Sequence, residues 1–231
     1  MDILKEISNI GIIPVIKIND ASKAVPLAKA LIDGGLAAAE VTFRTDAAEE
    51  SIRAISKAFP DMIVGAGTVL TIDQAQRALN AGAKFIVSPG FNPKVVKWCL
   101  EQGVTPLPGI NTPSEIEQAL ELGLKVVKFF PAEQSGGLAK IKAMSAPYGG
   151  VKFMPTGGIN TENVCEYLAS NKILACGGSF MVKESYIDND NWDEITALTK
   201  KAVELMLGLE IAHIGINNEN EAEAKATAEA M

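Results

Sequence analysis

Short apolar runs alternate with longer amphipathic segments along most of this sequence. Each run ends near Gly, Pro or Thr, as buried strands do, and is followed by about 10 to 16 residues with helical periodicity. Many of these segments open on Asp, Thr or Asn and close on Gly, which are common helix caps. The predicted strands lie within residues 12–18, 38–44, 62–69, 85–89, 105–110, 126–132, 151–158 and 173–180, and the last predicted helix covers 191–207.

These segments form eight consecutive strand–helix units. Strands that alternate with helices indicate a parallel sheet, and eight such units are the number that closes a (β/α)8 TIM barrel. An open doubly wound sheet is the alternative, but no GxGxxG motif follows the first predicted strand. We therefore predict an α/β protein whose barrel, with a short N-terminal helix, occupies residues 1–208.

The last segment, residues 209–231, differs from the repeating units. Its sequence, LEIAHIGINNENEAEAKATAEAM, predicts a strand followed by an Ala/Glu-rich helix. The stretch AHIGIN resembles the opening strand of a glyoxalase-like domain, but the segment stops far short of such a domain. We interpret it as the truncated start of that domain, or as an appended helix that packs on a neighbouring subunit.

Composition and charge exclude several classes of partner. The chain has 231 residues, 48% of them hydrophobic and 21% charged, which is an ordinary globular mixture. A net charge of −7 argues against a nucleic-acid partner, because such proteins carry a basic surface, yet it leaves an anionic small substrate open. The N-terminus lacks a signal peptide, and no apolar run approaches the roughly 20 residues of a membrane span. We expect a cytoplasmic protein with no membrane partner.

Residues for metal or redox chemistry are scarce. Cys99, Cys165 and Cys176 form no CxxC pair and stand in apolar surroundings, so we expect buried free thiols. The single histidine, His213, lies beyond the eighth helix. A cluster of metal ligands and a serine triad both need a histidine near the site. We predict no metal and no other cofactor.

One lysine interrupts the apolar run VVKFFPAE, residues 126–133. Burying an ammonium group is costly, which makes Lys128 a candidate for function. Desolvation favours the neutral amine, and a neutral amine attacks a ketone to form a Schiff base. The resulting iminium draws electrons from the neighbouring carbon, so a carbon–carbon bond β to it can break. The alternative is that Lys128 only pairs with a buried glutamate.

The second predicted strand supplies further polar groups. Strand residues two apart share a face, so Glu40, Thr42 and Arg44 point to the same side. Glu40 is a candidate general base, and Arg44 can pair with a substrate carboxylate, to which Thr68 of the GAGT stretch adds a hydroxyl donor. Glu40 alone also fits a structural ion pair, and Thr68 alone fits a turn. A Lys, a Glu and an Arg at one barrel mouth together favour chemistry.

Glycine pairs follow the seventh and eighth predicted strands, at Gly157-Gly158 and Gly177-Gly178-Ser179. Barrel enzymes often bind phosphate in these two loops, where backbone N–H groups are bare. Ordinary turn chemistry is the alternative for each pair. Lys17, near the end of the first strand, either adds a positive charge there or faces solvent.

Taken together, these stretches resemble the 2-keto-3-deoxy-6-phosphogluconate (KDPG) aldolase / 4-hydroxy-2-oxoglutarate aldolase family. The likeness covers residues 5–207 and includes no metal site. The matching stretches, in family order, are PVIKI, EVTFRT, GAGTVL, FIVSPGF, PLPGINTPSE, VKFFPAE, KFMPTGGI and GGSFMV.

The resemblance implies a role for each matching residue. Lys128 would form the Schiff base, Glu40 would be the general base, and Arg44 and Thr68 would bind the carboxylate end of the substrate. It also implies a homotrimer and reversible cleavage of KDPG to pyruvate and glyceraldehyde 3-phosphate, a step of the Entner–Doudoroff route. Cleavage of 4-hydroxy-2-oxoglutarate to pyruvate and glyoxylate is implied as well. The remaining predicted contacts are Pro89, Phe130 and Thr156 for substrate and Gly157, Gly158, Gly178 and Ser179 for phosphate.

Other functions fit parts of the same pattern. A phosphosugar isomerase, epimerase or transferase would use Glu40 as base and Lys128 only for its charge. A catalytically silent barrel would act in assembly through residues 209–231. The sequence also does not rank KDPG against its galactonate epimer or hydroxyoxoglutarate, because that choice depends on sub-ångström placement of loop groups.

Overall fold

The computed structural model describes residues 2–208, and strands alternate with helices throughout them. The predicted C-terminal strand and helix, with His213, lie outside the described residues. The strands are β1 Ile12–Ile16, β2 Ala38–Thr42, β3 Ile63–Gly67, β4 Phe85–Val87, β5 Thr105–Leu107, β6 Gly109–Ile110, β7 Val126–Phe129, β8 Lys152–Pro155 and β9 Cys176–Gly178. The helices are α1 Ile3–Ile10, α2 Ala24–Asp33, α3 Ala48–Ala58, α4 Ile72–Asn80, α5 Pro93–Glu101, α6 Pro113–Glu121, α7 Gly137–Ser145, α8 Val164–Leu168, α9 Glu184–Asp188 and α10 Trp192–Leu207.

The strands form a closed parallel barrel. One sheet has the order β5-β4-β3-β2-β1-β9, and the second has the order β6-β7-β8. The fifth barrel strand is interrupted at Pro108, so that β5 belongs to the first sheet and β6 to the second. Bridges from Phe153 to Ile173 and from Thr156 to Gly177 join β8 to the β9 side of the barrel. The prediction of an eight-stranded TIM barrel is confirmed.

Helix ends follow the capping residues seen in the sequence. Asp2 precedes α1 and accepts hydrogen bonds from the backbone N–H groups of Leu4 and Lys5. The Thr71 hydroxyl accepts one from the Gln74 N–H at the start of α4, and Pro93 and Pro113 each open a helix.

Among residues 2–208, no helix has both the length and the apolarity needed to cross a bilayer.

Helix α1 packs against the apolar floor of the barrel interior. Its Ile7 is fully buried in a cluster with inward-facing residues from the beginnings of the strands, such as Ile13, Ala38 and Ile63. A second, larger cluster fills the space between the outer strand faces and the helices. Apolar side chains fill the N-terminal end of the barrel interior. The buried polar residues Glu40 and Lys128 lie beyond them, towards the C-terminal ends of the strands.

Two glycines of β3, Gly65 and Gly67, leave space for the inward-facing side chains of Phe85 and Glu40 on the neighbouring strands. A Cβ on Gly65 would lie 2.2 Å from the Phe85 ring, and a Cβ on Gly67 would lie 2.2 Å from Glu40 Oε1. Real Cβ atoms do not approach other atoms this closely. The aromatic floor and the carboxylate above it therefore both depend on glycine in β3.

The cysteines differ from the prediction in one respect. Cys99 and Cys176 are buried, and desolvation raises the pKa of the Cys99 thiol to about 11 and that of Cys176 to about 12. Both thiols therefore remain protonated at neutral pH. Cys165 is exposed, so the prediction that it is buried was wrong. The buried residues of this helix, α8, are instead Val164 and Tyr167.

We predict that Gly65→Ala destabilises the barrel by about 1–3 kcal/mol, because overpacking a filled interior forces side chains and backbone to shift. Urea unfolding followed by circular dichroism measures the change. Gly149→Ala is the matched control, since Gly149 has a negative φ angle and no atom within 4 Å of an added Cβ. Equal unfolding midpoints for the two variants would contradict the packing argument.

Candidate active site

Lys128 of β7 and Glu40 of β2 meet inside the barrel. Lys128 Nζ lies 3.3 Å from Glu40 Oε1, and the two side chains are 6% and 1% exposed. The Phe130 ring centroid lies 5.4 Å from the same ammonium nitrogen, which adds a cation–π contact. A lysine within an apolar strand is thus accommodated by a carboxylate that comes from a strand 88 residues away.

Two buried oxygens at this site, one of them on Glu40 itself, have no hydrogen-bond partner within residues 2–208. They are Glu40 Oε2 and Thr156 Oγ1, and both residues line the same cavity. A buried polar atom without a partner costs about 1–3 kcal/mol, so such atoms are uncommon away from functional sites. The cavity therefore offers acceptor and donor positions that a polar ligand can satisfy.

The cavity has a volume of about 290 Å³ and opens at the carboxyl ends of the strands. The structure brings most of the predicted site residues to its wall, from the ends of six different strands. Val15 and Ile159 also line it, and sequence analysis missed both. Alternation along β1 with the inward-facing Ile13 could have revealed Val15. The predicted residues that line the cavity are Glu40, Arg44, Thr68, Pro89, Lys128, Phe130, Thr156, Gly157, Gly158, Gly178 and Ser179.

Arg44 lies at the exposed rim of the cavity and is oriented by Thr42. Its Nε donates a hydrogen bond to Thr42 Oγ1 at 3.1 Å, and the Thr42 hydroxyl donates to the Ile16 carbonyl at 2.7 Å. The two terminal guanidinium nitrogens have no hydrogen-bond or ion-pair partner in the described part of the chain. They are therefore available to a carboxylate ligand in the bidentate geometry that guanidinium groups favour.

Thr68 has a backbone conformation that is rare for a β-branched residue. Its φ is +57°, in the left-handed region, where crowding at Cβ is unfavourable. The following N–H, of Val69, is fixed by a hydrogen bond to the Val87 carbonyl. Strain of this kind is concentrated at binding sites, and Thr68 stands on the cavity wall.

The turn after β8 brings two glycines to the cavity wall. Gly157 and Gly158 have φ values of +99° and +83°, which glycine adopts without strain. Their N–H groups have no acceptor among the described residues. Successive free N–H groups in such a turn form a concave site for an anion.

The structure does not bring Lys17 to this turn. Lys17 Nζ lies 2.5 Å from Glu184 Oε1, which also accepts a hydrogen bond from Asn19 Nδ2 at 2.8 Å. The hydrogen bond from Lys17, followed by that from Asn19, lowers the pKa of Glu184. Lys17 is absent from the cavity wall because Glu184, 167 residues later in the sequence, holds it elsewhere.

The described residues contain no group of three or more His, Cys, Asp and Glu side chains that could hold a metal ion. The chemistry present at the cavity is that of an amine, a carboxylate, a guanidinium group, hydroxyls and free backbone N–H groups. An amine beside a carboxylate is the pair needed to form a Schiff base and to move protons on it.

Comparison with known proteins identifies relatives along nearly the whole barrel. A family model described as KDPG and KHG aldolase matches residues 3–198. The 2-dehydro-3-deoxy-phosphogluconate aldolase of Treponema pallidum is 50% identical over 204 residues, which cover 88% of this chain and 97% of the relative. The KHG/KDPG aldolase of Escherichia coli K12 is 44% identical over 193 residues, 84% of this chain and 91% of the relative.

A solved structure agrees with these sequence matches. The KDPG aldolase of Legionella pneumophila, in which pyruvate was captured as a covalent carbinolamine, superposes with a TM-score of 0.83 and is 38% identical. The match covers 86% of this chain and 97% of that one. With a family model over residues 3–198 and relatives up to 50% identical, this chain belongs to the KDPG and KHG aldolase family.

Proposed function

We propose that this protein is a class I aldolase. It cleaves KDPG to pyruvate and glyceraldehyde 3-phosphate, and 4-hydroxy-2-oxoglutarate to pyruvate and glyoxylate. The observation that carries the proposal is the buried contact between Lys128 Nζ and Glu40 Oε1, 3.3 Å apart at the wall of the cavity. The names of the relatives in Treponema pallidum and Escherichia coli support the two substrates.

In the proposed reaction, the Lys128 amine adds to the keto carbon of the substrate and gives a carbinolamine. Loss of water leaves an iminium, which withdraws electrons from the adjacent carbon. Glu40 takes the proton of the hydroxyl on the β carbon while the carbon–carbon bond breaks. The bonding pair moves into an enamine, and the aldehyde departs.

The second half of the reaction restores the enzyme. Glu40, now protonated, returns its proton to the enamine carbon, and the iminium forms again. Water adds to this iminium, and the carbinolamine collapses to release pyruvate and the free Lys128 amine. The second oxygen of Glu40, Oε2, has no partner within the described residues, so it is available to carry the proton in both steps.

The two ends of the substrate would be held by different chemistry. Arg44 and Thr68 would bind the carboxylate, which sits beside the keto group. The backbone N–H groups of Gly157 and Gly158, with Gly178 and Ser179 at the end of the neighbouring strand β9, would bind the phosphate. Thr156, whose buried Oγ1 has no partner among the described residues, would bind a hydroxyl between these ends.

We predict that sodium borohydride traps pyruvate on Lys128. The protein is incubated with pyruvate and reduced, and peptide mass spectrometry then locates the added mass. Lys128→Met should show no adduct and no cleavage of either substrate, while Lys152→Ala, which removes an exposed lysine from β8, should behave as wild type. A chelator should leave cleavage unchanged, because the proposed steps use no metal.

The trapping experiment also separates the alternative functions. Turnover of an aldose or ketose phosphate without a pyruvate adduct would favour an isomerase with Glu40 as its base. Neither adduct nor turnover would favour a silent barrel. An adduct on a lysine other than Lys128 would overturn the assignment of the nucleophile.

We predict that Glu40→Gln lowers kcat by about 10²- to 10⁴-fold, which is the usual contribution of a positioned acid or base. The adduct on Lys128 should still form, since the amine remains. Steady-state assays of pyruvate release measure the change. Glu50→Gln, on the exposed surface of α3, is the control and should retain wild-type kcat. Unchanged kcat in Glu40→Gln would remove it as the base.

We also propose that the protein is a homotrimer, as its resemblance to the family implies. Sedimentation equilibrium should give three times the chain mass of 24.4 kDa. A mass of one or two chains at micromolar concentration would contradict this. The contribution of residues 209–231 can be measured in the same way on a chain that ends at Gly208.

A further inference from the structure

The loop after β7 is hydrogen-bonded to the Gly157–Gly158 turn. The Ala132 N–H donates to the Thr156 carbonyl at 2.8 Å, and the Glu133 N–H donates to the Gly157 carbonyl at 3.1 Å. These bonds continue the parallel pairing of β7 with β8 beyond its last paired residues. The turn is therefore tied to the strand that carries Lys128.

The side chain of Glu133 lies directly over the same turn. A Cβ on Gly158 would be 2.5 Å from Cγ and 2.6 Å from Cβ of Glu133, so the glutamate stem packs on bare backbone. Beyond the turn, Glu133 Oε1 accepts a hydrogen bond from the Tyr167 hydroxyl. One residue thus spans from the loop after β7, across Gly158, to helix α8.

Helix α8 holds the turn at a second point. The ring of Tyr167 is buried, with 2% exposure, and desolvation and then the Glu133 carboxylate raise the pKa of its hydroxyl. The phenol therefore stays protonated and remains a donor. Near the start of the same helix, Asn163 Nδ2 donates to the Gly158 carbonyl at 3.0 Å.

We propose that Glu133 and Tyr167 are positioning residues, which fix the Gly157–Gly158 turn relative to Lys128 and thereby set the affinity for the substrate phosphate. The inference rests on the proposed function, in which this turn binds phosphate. Neither Glu133 nor Tyr167 lines the cavity, so both act through the turn.

The expected effect is selective, because other elements hold the rest of the site. Lys128 and Glu40 are placed by β7 and β2, and Arg44 is oriented by Thr42. Loosening the turn weakens contacts to the phosphate and leaves formation of the Schiff base intact. A role confined to stability would instead affect phosphorylated and unphosphorylated substrates alike.

The experiment compares KM and kcat for KDPG with those for 4-hydroxy-2-oxoglutarate, which has no phosphate. Tyr167→Phe removes one hydroxyl from an otherwise unchanged ring. We expect KM for KDPG to rise about tenfold, the effect of losing one hydrogen bond to a charged group. KM for 4-hydroxy-2-oxoglutarate should change less than about twofold. Glu133→Gln keeps an acceptor oxygen and should lose less affinity than Glu133→Ala.

Tyr148→Phe is the matched control. The Tyr148 hydroxyl donates to Glu117 Oε1 at 2.9 Å, so this variant removes the same kind of tyrosine–glutamate hydrogen bond at the surface, where neither residue lines the cavity. Its kinetics on both substrates should match wild type.

Two further measurements separate the possible failures. Titration with inorganic phosphate needs no turnover and should give a Kd about tenfold higher in Tyr167→Phe than in wild type. An equal change for both substrates, or an unchanged phosphate Kd in folded Tyr167→Phe and Glu133→Ala, overturns the positioning role. If Tyr167→Phe fails to fold, Glu133→Ala provides the same comparison. Failure of the proposed function appears separately, as wild-type protein without a pyruvate adduct on Lys128.

Discussion

The buried ion pair of Lys128 and Glu40 constrains the rest of this barrel. Removing one partner of such a pair leaves an uncompensated charge and costs about 3–5 kcal/mol, so the two residues must stay together. β3 accommodates the carboxylate with Gly67, since a Cβ there would lie 2.2 Å from Glu40 Oε1. Below the pair, the apolar floor excludes water, so the amine meets only its carboxylate and whatever enters through the mouth. The proposed reactivity and the packing thus depend on the same contact.

Above this pair, three kinds of group surround one cavity. A guanidinium group at the rim, Arg44, suits a carboxylate, and a turn with free N–H groups suits a phosphate. The amine of Lys128 lines the same cavity. Each is placed by a different part of the fold: Lys128 by its strand β7, Arg44 by the hydrogen bond to Thr42, and the turn N–H groups by glycines with positive φ. A long anionic substrate could therefore be held at both ends while its keto carbon faces Lys128.

The proposed phosphate end of the cavity depends most on contacts between separate elements. Strand pairing fixes Lys128 and Glu40, but β8 ends before Gly157, so its pairing does not fix the turn. Bonds from the loop after β7 and from α8 supply that restraint. Under the proposed function, the covalent chemistry depends on strand registry, and the preference for a phosphorylated substrate depends on the residues packed around one turn.

The sequence by itself determined the barrel and much of its site. Eight apolar runs predicted the strands, and period-two alternation put Glu40, Thr42 and Arg44 on one face of β2, because strand geometry is local. The tertiary structure alone decided contacts between distant segments: Lys17 with Glu184, and Glu133 with Tyr167. It also revealed Ile159 on the cavity wall and the strained φ of Thr68. Such details depend on which side chains the closed barrel brings within bonding distance, and spacing along the chain carries no record of those distances.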